Sequence, residues 1–236
     1  MSIFVSASSL ADYISCSQKI YYRVFETGES QPTREMLMGT IAHKVLEKEW
    51  KDFDLAKVLI DKLCVQNNLD ELARGSITHF IGTYFDIFRS MVRDDDKIEK
   101  RFKVKLYDDV YLVGVFDRIS KDIVIDWKTN AKPAKNINNN VQFILYDLAF
   151  NLIYGKKADG LYMAALKDGS LVRYNESKEH AAVLVNDVIP EFVETVRNKS
   201  FVKTGLFNGS CYRCQYKVAC LGGDKDVMVY TNSVEE

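Results

Sequence analysis

Residues 110–128 read VYLVGVFDRISKDIVIDWK. The runs Val110 to Ile119 and Ile123 to Trp127 are rich in β-branched and aromatic residues, and Lys121-Asp122 lies between them as a turn. The spacing predicts an antiparallel hairpin. Period two then places Asp126 and Lys128 on one face of the second strand. Pairing about the turn brings Asp117 nearly opposite Asp126, and cross-strand neighbours lie about 5 Å apart. Two carboxylates that close repel unless a cation bridges them, and oxygen ligands suit Mg²⁺ or Mn²⁺. Such a site could polarise a phosphoryl oxygen and acidify a bound water, with Lys128 orienting the water or countering charge on the phosphate. The spacing alone also fits a surface salt pair at a strand end. Asp95-x-Lys97 repeats it in an acidic run, with no strand before it and no partner carboxylate, and reads as a chance match on a solvated face.

Upstream, the charged Lys97, Glu99, Arg101, Lys103 and Lys105 alternate with a set that includes Ile98, Phe102, Val104 and Leu106, a strand with one wet face. The chain before residue 92 reads helical. Ser8 or Ser9 caps a helix through Ser15 to Phe25, Thr33 starts another that runs to about Trp50, and two more lie near Leu55 to Val65 and Leu69 to Val92. Downstream, a polar loop from Thr129 to Asn140 precedes a helix from Val141 to Tyr154. A hairpin of Gly160 to Ala165 and Leu171 to Tyr174 follows, then a helix from Lys178 to Arg197 that Pro190 should kink or break. This order predicts an α/β fold with a mixed central sheet flanked by helices. The expected organisation is one domain over 1–236, with a helical part at 1–92, a sheet core at 97–176 and a cysteine-rich tail at 201–223.

A chain of 236 residues can bury a substantial core. Its 32 Lys and Arg balance 33 Asp and Glu, so any nucleic-acid contact needs a local basic surface. Met1 to Leu10 lacks the pattern of a signal peptide, and no stretch approaches the roughly 18 apolar residues of a membrane span. A cytoplasmic location is expected, with no membrane partner. Disulfides are not expected there, so the five cysteines need another role. Cys211-x-x-Cys214 with Cys220 forms a tight triplet, and Cys16 lies at the far end of the chain. Thiolates at such spacing usually hold a metal. Cys64, among apolar helix residues, reads as a buried core thiol.

Several motifs occur in a set order: Gly39-Thr40-Ile41-Ala42-His43, Gly114-Val115-Phe116-Asp117, Ile125-Asp126-Trp127-Lys128-Thr129 and Gln142-Phe143-Ile144-Leu145-Tyr146. The series resembles the RecB-like family of PD-(D/E)XK nucleases. Ser8-Ser9-Leu10, Tyr13, Cys16 and Tyr21-Tyr22-Arg23 also resemble that family's opening helix. The resemblance implies a restriction-endonuclease-like fold. It makes His43, Asp117, Asp126 and the carbonyl of Trp127 metal ligands, Lys128 the catalytic lysine, and Gln142 and Tyr146 supports from the following helix. Gly39, one turn before His43, costs about 1 kcal/mol in a helix interior, and a close approach by backbone or ligand would explain it. Glu47 is a candidate partner for His43.

One distant cysteine with C-x₂-C-x₅-C resembles the iron–sulfur branch of that family, which includes CRISPR-associated members and the AddB subunit of bacterial helicase–nucleases. The resemblance implies a [4Fe–4S] cluster on Cys16, Cys211, Cys214 and Cys220. A structural zinc site takes the same four thiolates and stays open. Either would tie the chain ends, by analogy with a disulfide contributing on the order of 5 kcal/mol. The implied partner is DNA, as single strands or ends, with recombination or CRISPR-adaptation proteins beside it, and DNA repair is an implied setting. Candidate contacts are Lys128, Lys132, Lys135, Asn136 and Asn138 to Asn140; the charged face of Lys97 to Lys105; and Tyr212, Arg213, Tyr216 and Lys217. Competing readings are a non-catalytic DNA-binding subunit on the same fold, and an RNase or structure-specific endonuclease using the same residues.

Overall fold

A computed structural model describes residues 2–26, 32–129, 137–212 and 214–222. In chain order the elements are β1 (Ile3–Val5), α1 (Ala7–Ser15), α2 (Gln18–Val24), α3 (Arg34–Lys48), α4 (Phe53–Gln66), α5 (Glu71–Thr83), β2 (Lys97–Tyr107), β3 (Val110–Ser120), β4 (Ile123–Lys128), α6 (Val141–Tyr154), β5 (Gly160–Ala165), β6 (Leu171–Arg173), α7 (Lys178–Val183), α8 (Ile189–Asn198), α9 (Gly205–Asn208) and α10 (Lys217–Leu221). They fall into two compact units, each interleaved in sequence. One comprises Met1–Ala7 with Pro32–Leu184, the other Ser8–Gln31 with Val185–Glu236. Among the described residues, no helix is long and apolar enough to cross a membrane.

The first unit is a mixed sheet with helices against it. Side-chain caps set its helix starts: Thr33 accepts from Met36 N–H, Asp52 from Asp54 and Leu55, Asp70 from Ala73, and Asn140 from Gln142. Gly155, at φ +68°, ends α6 in the left-handed conformation that a side chain would oppose. Helices α3, α4 and α5 bury Ile41, Val45, Ile60, Ile77 and Ile81 in a cluster that includes Trp127 of β4.

Strand β3 organises the sheet. It pairs antiparallel with β2 along its length, from Lys97↔Ile119 to Tyr107↔Val110. Its other edge is shared by β1, parallel at residues 110–112, and by β4, antiparallel at residues 118–120. β4 then pairs parallel with β5, and β5 antiparallel with β6. The turn between β3 and β4 is Lys121-Asp122, as expected, with Lys121 at φ +53°. Gly114 stands opposite Phe102, and a Cβ there would come within 2.5 Å of that ring. The bare glycine lets Phe102 pack on Phe116 at 4.6 Å, and Phe116 on Tyr146 of α6 at 5.0 Å.

Several details depart from the sequence reading. The three-residue β1 was not expected. The first helix is two, broken at Cys16 and Ser17. The helix after Asp70 loosens and then tightens at its end, through a π turn at Tyr84–Phe88 and a 3₁₀ turn at Arg89–Met91. The interruption expected near Pro190 is present: a π turn at Leu184–Val188 breaks the long helix after Ser177, and Pro190 sits in the first turn of α8, where its missing N–H costs nothing.

The second unit is helical. Tyr13 of α1 meets Phe192 of α8 edge-on at 5.5 Å and shares a hydrogen bond with Thr195. Tyr21, Phe25 and Phe201 form an aromatic cluster. Ser17 accepts from the Val202 N–H at 2.8 Å, and Asn208 donates to the Ser15 carbonyl at 2.7 Å.

Candidate active site

The ladder between β3 and β4 stops at Arg118↔Ile125. One step further, where Asp117 would face Asp126, the Asp117 carboxylate replaces the backbone and accepts the Trp127 N–H at 2.8 Å. Both carboxylates are buried, Asp126 to 1% exposure. His43 of α3 joins them. Its Nε2 lies 3.0 Å from the Trp127 carbonyl oxygen, and its Nδ1 lies 3.6 Å from Asp117 and 3.7 Å from Glu99.

Helix α6 supplies the remaining contacts. Gln142 and Tyr146, four residues apart, share one face. Gln142 accepts from Lys128 Nζ and donates to Asp126 Oδ1, both at 2.8 Å. Tyr146 donates to the Val115 carbonyl at 2.6 Å and receives a hydrogen bond from Gln142. Lys128 Nζ lies 2.8 Å from Asp126 Oδ2, yet that oxygen has no well-directed hydrogen bond. Every residue that the motifs assigned to the site, from His43 to Tyr146, therefore comes to one place.

Glu99 was missed. It sits at φ +47° near the start of β2, a left-handed conformation rare for a side-chain-bearing residue. Its ladder partner would be Asp117, but the pairing skips it. Among the described residues, His43, Glu99 and Asp117 form a three-donor group whose ligand atoms lie within 4.8 Å of one another. The signal in the sequence was a lone acid in the otherwise basic row of Lys97, Arg101, Lys103 and Lys105. Glu47 is not a partner of His43: it pairs with Lys44 at 2.6 Å. Gly39 does mark a close approach, since a Cβ there would lie 3.3 Å from Thr129 Oγ1. Lys97 points elsewhere, to Tyr154 at 3.1 Å.

The electrostatics show surplus negative charge. Burial, reinforced by Asp126, pushes the Asp117 carboxyl up to about 7. Burial alone would lower the His43 imidazole, but Glu99, Asp117 and Asp126 outweigh it and raise it to about 9. Burial also works against the Lys128 ammonium, and the contact with Asp126 more than offsets it, so its pKa is raised. Burial and the two aspartates hold the Tyr146 phenol protonated. Imidazole nitrogen, carboxylate oxygens and a backbone carbonyl, gathered with excess negative charge and an undirected buried carboxylate oxygen, fit a divalent cation such as Mg²⁺ or Mn²⁺. A cleft of about 650 Å³, lined by Thr40, His43, Lys44, Glu99, Arg101 and Thr129, opens beside them.

In the second unit, Cys16, Cys211, Cys214 and Cys220 line one cavity. Burial and the neighbouring sulfurs push the Cys211 thiol up. Gly205 leaves them room, since a Cβ there would meet Cys211 Sγ at 2.9 Å. Tyr216 stacks on Tyr22 at 5.3 Å, while Tyr212 is exposed. Cys64 is fully buried in the first unit. Lys132, Lys135, Asn136 and Arg213 lie outside the described residues.

The crystal structure of a "Putative exonuclease" from Eubacterium rectale is similar in fold, with a TM-score of 0.63 over 99% of this chain and 90% of that chain at 11% identity. No curated protein sequence matches. The model of the PD-(D/E)XK nuclease superfamily matches residues 5–221, and the chain belongs to that superfamily.

Proposed function

We propose that this chain is a metal-dependent deoxyribonuclease, acting as an exonuclease on single-stranded DNA or DNA ends. The observation that carries the reading is the convergence of Asp117, Asp126, His43 and Lys128 where the β3–β4 ladder opens. His43, Asp117, Asp126 and the Trp127 carbonyl would hold Mg²⁺ or Mn²⁺. The bound ion supplies Lewis acidity toward a phosphoryl oxygen and a lower pKa for water. Lys128, kept charged by Asp126, counters negative charge developing on the phosphate or orients the attacking water. Gln142 fixes Lys128 and Asp126 together, and Tyr146 anchors Gln142 to β3.

An end-labelled single-stranded oligonucleotide tests this. Cleavage should need Mg²⁺ or Mn²⁺, stop with chelator, and vanish in the D126A/K128A double variant. Undiminished cleavage by that variant would refute the assigned site.

The four cysteines, gathered on one cavity, support a [4Fe–4S] cluster with a structural role in the second unit. Purified protein should carry iron and inorganic sulfide, and Cys211→Ala should lose both and melt lower. Zinc in place of iron would assign the thiolates to the other metal.

A further inference from the structure

The sheet face that carries Asp117 continues past it along β2 and β3. By period two, Tyr111, Val113 and Val115 share the face of Asp117. Their partners on β2 are Lys105, Lys103 and Arg101. These three cations are exposed, and the two valines are half-buried. Phe4 of β1 pairs beside Tyr111 and is 49% exposed. Two contacts fix the orientation. Arg101 lines the same cleft as His43 and Glu99, and the Lys103 ammonium lies 4.4 Å over the Tyr111 ring and 4.9 Å over Phe4. The opposite face is filled, with Phe102 and Phe116 packed against Tyr146.

We infer that this open ribbon is a track for single-stranded DNA, running from Phe4 and Tyr111 to Asp117. The inference rests on the nuclease reading and adds the path of the substrate. Cations at every second residue recur about 6.7 Å apart along one side, a row suited to a string of phosphates. Beside them runs an apolar row ending in the half-buried Tyr111 ring and the exposed Phe4 ring, suited to unpaired bases. A duplex hides its base faces and could use only the cations.

A fluorescent single-stranded oligonucleotide, titrated against wild-type protein in chelator, tests the track without turnover. K103Q/K105Q should weaken binding about tenfold or more and flatten the dependence of log Kd on log salt by about 1.4. Phe4→Ala should weaken binding with the salt slope kept, because stacking carries no counterion release. Lys62→Gln, at an exposed position of α4, should change neither. Unchanged affinity and slope in K103Q/K105Q would overturn the track, as would tighter binding of duplex than of single strand. So would a dimer in sedimentation that K103Q/K105Q dissociates, since the ribbon would then belong to a second copy. Cleavage lost in D126A/K128A, with binding indifferent to the ribbon variants, sinks the track alone. A wild-type protein that cleaves nothing under any metal, yet binds through Lys103 and Lys105, sinks the nuclease reading alone.

Discussion

Asp117 and Arg118 are neighbours on one strand, both buried, and they sit in opposite electrostatic situations. Arg118 is 1% exposed and well matched. It donates to Asp96 at 2.7 Å and to the Arg93 carbonyl at 3.0 Å, and its guanidinium lies 4.1 Å over Trp50. Only Asp96 Oδ1 in that group lacks a partner. Around Asp117, three carboxylates face one imidazole and one ammonium, and burial resists the charge on Asp117 itself. A balanced ion pair holds strands and loops in place. An unbalanced one waits for a cation, and the metal-free fold bears the cost.

The contrast can be broken by substitution. Asp126→Ala should lower DNA cleavage by roughly 10²–10³-fold or more without unfolding the chain, measured as initial rate beside a circular dichroism melt. Arg118→Ala should do the reverse in origin. It leaves Asp96 buried without its partner and costs about 3–5 kcal/mol in chemical denaturation, with any activity loss following from unfolding. If both substitutions destabilised equally, the two centres would not differ as described.

Titration sharpens the same point. Asp117 and His43 both have folded values above their unfolded ones, so a bound proton at each stabilises the fold. That stabilisation is present at low pH and is lost as pH rises, through about 7 for Asp117 and about 9 for His43. The metal-free melting temperature should therefore fall from pH 6 to 9. Mn²⁺ should restore more of it at each higher pH, because the ion binds the deprotonated ligands. Asp117→Asn should raise the metal-free melting temperature at pH 8 while abolishing cleavage. The smallest effect is expected at Gly39→Ala. The gain of about 1 kcal/mol in helix propensity works against the 3.3 Å contact with Thr129, leaving stability nearly unchanged.

Much of this was legible in the chain. The strands show because period two is strong in residues 97–128, and the hairpin turn fixes which residues meet. That is enough to bring Asp117 to Asp126 and to put Lys128 beside them. The convergence of His43, Gln142 and Tyr146 needed the motif series, since no local pattern says which helix crosses which strand end. Glu99 was hidden because alternation assigned it to the wet face, and a single left-handed backbone angle turned it inward. The break at Cys16 and Ser17 was hidden because the apolar spacing of Leu10, Tyr13, Ile14, Ile20 and Tyr21 continues through it. β1 was hidden because three residues carry too little periodicity to read.

The central claim is that the carboxylates at the opened end of β3 and β4 seat a divalent ion. Mn²⁺ titration followed by electron paramagnetic resonance, at pH 8 on wild-type and Asp117→Asn protein, tests it most directly. The account predicts saturable binding in the wild type, weakened at least about 100-fold by the substitution. Equal Mn²⁺ binding by both proteins would contradict it.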